Sequence, residues 1–139
     1  MSKHFKLEEL LRSETALKNK IENLPTWEVV EHLAQLAEFL DGLREAWRSP
    51  IKVNSGFRST DLNKQVKGVQ RSAHKLGYAA DLLPLNGEME KFKKFVVEWV
   101  QDKDFDQCIL EKSGKTEWVH LSLYNQDGEQ RHEVFKLQV

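Results

Sequence analysis

Ser72-Ala73-His74-Lys75-Leu76-Gly77-Tyr78-Ala79-Ala80-Asp81 sets a histidine and a carboxylate seven residues apart, among a serine, a glycine and a pair of alanines. Imidazole nitrogen and carboxylate oxygen are ligands for a borderline-soft or hard divalent cation, zinc foremost. Two such groups hold the ion weakly, so a third ligand is expected elsewhere, and Glu117-Trp118-Val119-His120 offers one. Two neutral imidazoles and one carboxylate leave the fourth corner of a tetrahedral zinc to water, which then ionises near neutral pH. A nearby glutamate can take the proton and hand it to a leaving amine. An arginine such as Arg58 can hold a substrate carboxylate or stabilise an oxyanion. The pattern reads as a catalytic site for one Zn2+ per chain, with His74, Asp81 and His120 as ligands.

These residues must be positioned by elements the sequence also marks. Val29, Leu33, Leu36, Leu40, Leu43 and Trp47 recur at alternating steps of four and three, which predicts a helix from Pro25-Thr26 to Ser49-Pro50 with one core-facing stripe. Ile51–Asn54 reads as a strand, and Ser59 or Thr60 caps a helix reaching about Lys67. Ala79–Leu83 is a strand closed by Pro84, and Glu88–Gln101 is a second amphipathic helix. Gln107–Glu111 and Glu117–Tyr124 read as strands joined through Lys112–Thr116, and His132–Gln138 as a last strand. Residues 1–24 form an arm expected to lie on the core with Phe5, Leu10, Leu17 and Ile21 facing in. The order predicts an α+β fold, a small antiparallel sheet flanked by helices, as one domain over residues 1–139.

Around His120, alternation puts Val119, Leu121 and Leu123 on an aliphatic face and Trp118, His120, Ser122 and Tyr124 on a polar-aromatic one. Trp118 and Tyr78 are read as cleft walls or as ordinary packing residues. Glu117, three residues before His120, points the other way in a regular strand; to serve the metal it must sit on the turn or at a bulge. The plainer readings, which the site roles outweigh, are Asp81 as a strand-end or turn carboxylate, Glu117 as a solvated turn residue, Arg58 as a surface ion-pair partner and Ser72 as a turn or cap residue. Cys108 is read as a small buried hydrophobe.

Ser72-x-His74-x-x-Gly77-x-Ala79-x-Asp81 with Glu117-x-x-His120 resembles the zinc peptidases of the hedgehog/D-Ala-D-Ala-peptidase group. That group includes D,D-carboxypeptidases, D-Ala-D-Ala dipeptidases and phage endolysins that cut L-Ala-D-Glu bonds. The resemblance runs from about Ile51 to about Leu123 and takes in Ser55-Gly56-Phe57-Arg58-Ser59. It implies that His74, Asp81 and His120 bind zinc, that Glu117 is the catalytic acid–base and that Arg58 stabilises the reacting carbonyl. It also implies that Ser72 hydrogen-bonds near the substrate. The expected substrate is a peptidoglycan stem peptide, cut by a D,D-carboxypeptidase or an L-Ala-D-Glu endopeptidase. A metal-stabilised, non-catalytic cell-wall or phage binding module is the competing reading, and a peptidase or amidase on another small substrate a third.

Composition narrows the rest. Lys plus Arg number 21 against 22 Asp plus Glu, a balance that gives no reason to expect nucleic acid or an anionic membrane as partner. A single cysteine excludes an intramolecular disulfide. The start of the chain carries no signal-peptide apolar region, so the expectation is a cytoplasmic monomer, or a protein released to the cell wall during phage lysis.

Overall fold

The computed structural model describes residues 2–139. Its central element is α3 (Trp27–Trp47), the helix expected from the apolar stripe, with Leu33, Leu36, Leu40 and Leu43 fully buried. The Thr26 hydroxyl accepts the Val29 N–H at 3.3 Å, and the helix stops at Arg48, in the left-handed region at φ 64°, two residues before Pro50. A second amphipathic helix, α5 (Met89–Trp99), buries Phe92 and Val96 and runs on into a 3-10 turn over Val100–Asp102.

Five strands, β1 (Ile51–Ser55), β2 (Ala79–Pro84), β3 (Gln107–Ser113), β4 (Thr116–Ser122) and β5 (Glu133–Gln138), form one sheet in the order β1-β2-β4-β3-β5. The first four pair antiparallel as expected. β5 departs from the expected antiparallel sheet, pairing parallel to β3 with Gln107 opposite Glu133. The physical reason is that the chain leaving β4 passes over the start of β3 before turning back. There Arg131 grips Asp106 through Nε and Nη2, both at 2.8 Å, and the Glu133 N–H donates to the Asp106 carbonyl at 2.9 Å.

One face of the sheet carries Ala80, Leu82, Cys108, Val119 and Leu121, all in the hydrophobic core with α3 and α5. The other face is left for the site. The arm holds two short helices, α1 (Leu7–Leu11) and α2 (Glu14–Lys18). Phe5 and Leu10 are buried as expected, but Leu17 is 72% exposed and Ala16 takes the inward position. A five-residue helix has room for one inward side chain, and adjacent residues lie about 100° apart around its axis. α4 (Thr60–Gln65), capped by the Ser59 hydroxyl, follows the loop that carries Arg58. Among the described residues no helix is long and apolar enough to cross a membrane.

Candidate active site

Strand register brings the two halves of the motif together. β2 and β4 are neighbours with Asp81 directly opposite His120. His74 arrives from the 3-10 turn Ala73–Leu76, which Gly77 closes at φ 81°. A Cβ on Gly77 would stand 3.0 Å from the Val29 carbonyl oxygen of α3, so only glycine fits both the φ and the space. Asp81 Oδ1 lies 3.3 Å from His74 Nε2 and 3.1 Å from His120 Nδ1, and one ligand atom from each of the three residues falls within 4.8 Å of the others.

The tautomer of His74 follows from its other nitrogen. Nδ1 lies 2.7 Å from the Gly56 carbonyl oxygen, which can only accept, so Nδ1 carries the proton and Nε2 a lone pair. That buried Nε2 has no hydrogen-bond partner and faces the Asp81 carboxylate. Burial pushes the His74 pKa below the ordinary imidazole value, outweighing the pull of Asp81. Burial would raise the Asp81 pKa, but the neighbouring imidazoles outweigh it and hold the carboxylate well below its usual range. A lone pair facing an ionised carboxylate is satisfied by a cation between them, and the His74, Asp81 and His120 donor set fits a divalent metal.

Two more charged groups share this face. Arg58 N–H donates to the His74 carbonyl at 3.0 Å, and the buried Nε of its guanidinium has no hydrogen-bond partner. Burial lowers the Arg58 pKa, and the charges of Asp81 and Glu111 oppose that shift. Glu111 was not anticipated. It pairs with Trp118 across β3 and β4, takes the Trp118 Nε1–H at 3.1 Å, and sets Oε2 4.0 Å from His120 Nδ1. Burial raises the Glu111 pKa, Asp81 adds to the rise, and His120, Trp118 and Arg58 pull the other way.

Glu117 does not meet the role expected of it. It lies within β4 opposite Lys112, in unbroken register with His120, so its side chain emerges on the opposite sheet face. There its Oε1 pairs with Lys93 Nζ of α5 at 3.0 Å. The turn or bulge that would have redirected it is absent from β4.

A family model described as peptidase M15 matches residues 3–122. The chain belongs to the peptidase M15 family. No curated protein matches it. The M15 match ends with the last residue of β4, so β5 lies beyond it.

In this M15 peptidase the remaining predicted residues divide. Trp118 lines a cleft of about 540 Å³ together with Arg58 and Asp81. Ser72 is buried, and its Oγ accepts the His74 N–H at 3.1 Å, so it orients the His74 backbone. Tyr78 belongs elsewhere: it stacks on His32 of α3 with ring centroids 4.1 Å apart and leans on Tyr124. Three residues from Asp81 in extended chain, it must project from the opposite face.

Proposed function

We propose that this M15 peptidase is a zinc-dependent hydrolase of a peptide bond in peptidoglycan stem peptides, acting as a monomer with one Zn2+ held by His74 Nε2, Asp81 and His120. The unpartnered, buried His74 Nε2 facing Asp81 is the observation that carries this reading. When bound, the zinc supplies Lewis acidity and lowers the pKa of a coordinated water.

The chain's own residues do the rest. Glu111, on the face of Asp81 and His120, takes a proton from the attacking water and returns it to the leaving amine. Its raised pKa suits a group that must both accept and give a proton. Arg58, with a free Nε and no freedom to lose its charge, holds the scissile carbonyl oxygen as negative charge grows on it. Trp118 donates to Glu111 and fixes its orientation, while Ser72 and Gly56 hold His74 by its backbone and its Nδ1.

Support for the substrate class comes from the motif's likeness to peptidases of cell-wall peptides and from the polar, open cleft beside the metal group. Digestion of purified peptidoglycan by zinc-loaded and chelated protein, with the new termini mapped by mass spectrometry, tests it. New amino termini that need zinc are the expected result. Intact peptidoglycan with folded, zinc-loaded protein would reject the proposal and favour a binding module.

A further inference from the structure

Asn63 of α4 is 3% exposed, and the two ends of its amide fare differently. Nδ2 donates to the Val69 carbonyl at 2.9 Å. A carbonyl can only accept, so the amide cannot be turned round and Oδ1 is the end left over. That oxygen is buried and has no hydrogen-bond partner. A stranded acceptor is costly unless a donor serves it.

The donor beside it belongs to Arg58. α4 closes on a left-handed residue, but that residue is Lys67, at φ 59°. The Lys67 N–H returns to the Lys64 carbonyl at 3.0 Å and the Gly68 N–H to the Asn63 carbonyl at 2.8 Å. Gly68 thus stands one place beyond the position that asks for glycine's φ, and what it supplies is space. A Cβ there would collide with Asn63 Oδ1 and lie 3.0 Å from Arg58 Nη1. The amide oxygen and the guanidinium flank one spot that only a residue without a side chain leaves open. The carboxylates of the site face are engaged elsewhere: Asp81 turns to His74 and His120, and Glu111 to Trp118 and His120.

We propose that Asn63 is a positioning residue for Arg58, its Oδ1 accepting the Nη1–H so that the Nε edge of the guanidinium faces the scissile carbonyl. The inference rests on the peptidase reading above and deepens it. Leu62 and Val66 line the cleft and Asn63 does not, so it acts on the reaction through Arg58. A flexible arginine stabilises a growing negative charge only when its fork is already aimed there, and a fixed acceptor on the far nitrogen does the aiming.

Arginine side-chain 1H–15N spectra at low temperature test the contact without turnover. In wild type the Arg58 Nη signals, assigned by their loss in Arg58→Lys, should be split by slow rotation about the Cζ–N bond. In Asn63→Ala they should average, while those of Arg131, gripped by Asp106, stay split. Kinetics test the consequence, with a disaccharide pentapeptide that carries both an L-Ala-D-Glu and a D-Ala-D-Ala bond. In zinc-loaded protein Asn63→Ala should lower kcat by about 10- to 100-fold, the size of one charge-assisted hydrogen bond, and leave KM within about twofold. In Arg58→Lys protein the same change should cost less than about twofold, because no guanidinium is left to position. Gly68→Ala keeps the backbone φ and the bond from Asn63 to Val69, and should reproduce these results where Asn63→Ala does not fold.

Arg58 signals that are averaged in wild type, or that are unchanged by Asn63→Ala, overturn the positioning role and leave the peptidase standing. So does a loss of kcat equally large with and without Arg58→Lys, the mark of a residue that only supports the fold. Wild-type protein that cleaves no bond of the pentapeptide rejects the peptidase reading, and the spectra still decide whether Asn63 holds Arg58.

Discussion

Glu111 and Glu117 sit six residues apart on opposite faces of one hairpin, and exchanging either for glutamine separates their roles. Glu111→Gln keeps the shape, and the amide oxygen can still accept the Trp118 Nε1–H that now lies 3.1 Å from Oε2. A half-buried charge, one that burial already disfavours, is lost. Stability should therefore change by less than about 1 kcal/mol. The proposed ligands His74, Asp81 and His120 are untouched, so metal content should match that of the wild type. What disappears is the proton acceptor. Loss of general acid–base catalysis costs about 100- to 10,000-fold in kcat, or about 3 to 5 kcal/mol of barrier. Glu117→Gln removes only the bond to Lys93 across a partly exposed surface, worth about 0 to 1 kcal/mol of stability, and should leave kcat unchanged. The assay is release of free amines from purified peptidoglycan, with zinc measured by elemental mass spectrometry and folding by thermal melt. Near-normal turnover in folded, zinc-loaded Glu111→Gln would refute the assignment. So would loss of turnover in Glu117→Gln protein that keeps its metal and its melting point.

Four further outcomes follow from the same structure. Chelation should lower the melting temperature, because zinc at 100 times its Kd adds about 2.7 kcal/mol to the folded state; a melt indifferent to chelator would mean that the His74–Asp81–His120 group holds no ion. His74 must be neutral to bind metal and burial holds its pKa below the ordinary imidazole value, so zinc affinity, read by competition with a chromophoric chelator, should fall once the pH drops below the ordinary imidazole range. The sign is the same without metal: burial sets the His74 pKa below its unfolded value, so its contribution is present above the ordinary imidazole pKa and lost as pH falls. Arg131→Ala leaves the Asp106 carboxylate, which is 1% exposed, with only the backbone N–H of residue 131 as partner, and should cost about 2 kcal/mol in urea titration; a change under about 0.5 kcal/mol would show that β5 is not anchored there. Cys108 is buried and its pKa is pushed up to about 12, so Ellman's reagent at pH 8 should find no thiol until the chain is denatured, and rapid native labelling would contradict its burial.

How much of this was legible beforehand differs by residue, for physical reasons. α3 was plain because its leucines repeat at helical spacing and nothing local competes. His74, Asp81 and His120 are legible as a set because a histidine and a carboxylate seven residues apart, with Glu117-x-x-His120 downstream, are ligand types in a recognisable motif. Glu111 is harder to see because it ends the mostly apolar run Cys108-Ile109-Leu110, and its facing emerges only from the strand alternation. The signal existed. A tight turn at Gly114-Lys115 pairs Ser113 with Thr116, and counting back pairs Glu111 with Trp118 and Ile109 with His120. Partners directly opposite in a sheet share a face, so the carboxylate facing His120 was countable from the turn. The same parity argument removes Tyr78, three residues before Asp81. The parallel pairing of β5 was not accessible in this way, since it depends on Asp106 and Arg131 meeting over the end of β3, a contact between residues 25 apart.

The arm shows why the His74–Asp81–His120 group, built on a sheet, still depends on residues far from it. A Cβ at Gly56 would collide with the Leu10 carbonyl oxygen of α1, so the loop can approach the arm this closely only with glycine there. The approach lets the Phe57 N–H reach the Leu10 carbonyl, which holds the Gly56–Phe57 backbone in place. The Gly56 carbonyl, so placed, takes the His74 Nδ1–H at 2.7 Å and thereby selects which nitrogen of His74 keeps its lone pair. Sheet register sets the distance between Asp81 and His120, but the protonation pattern that leaves His74 Nε2 with its lone pair is imposed from the arm, through one glycine and two backbone carbonyls.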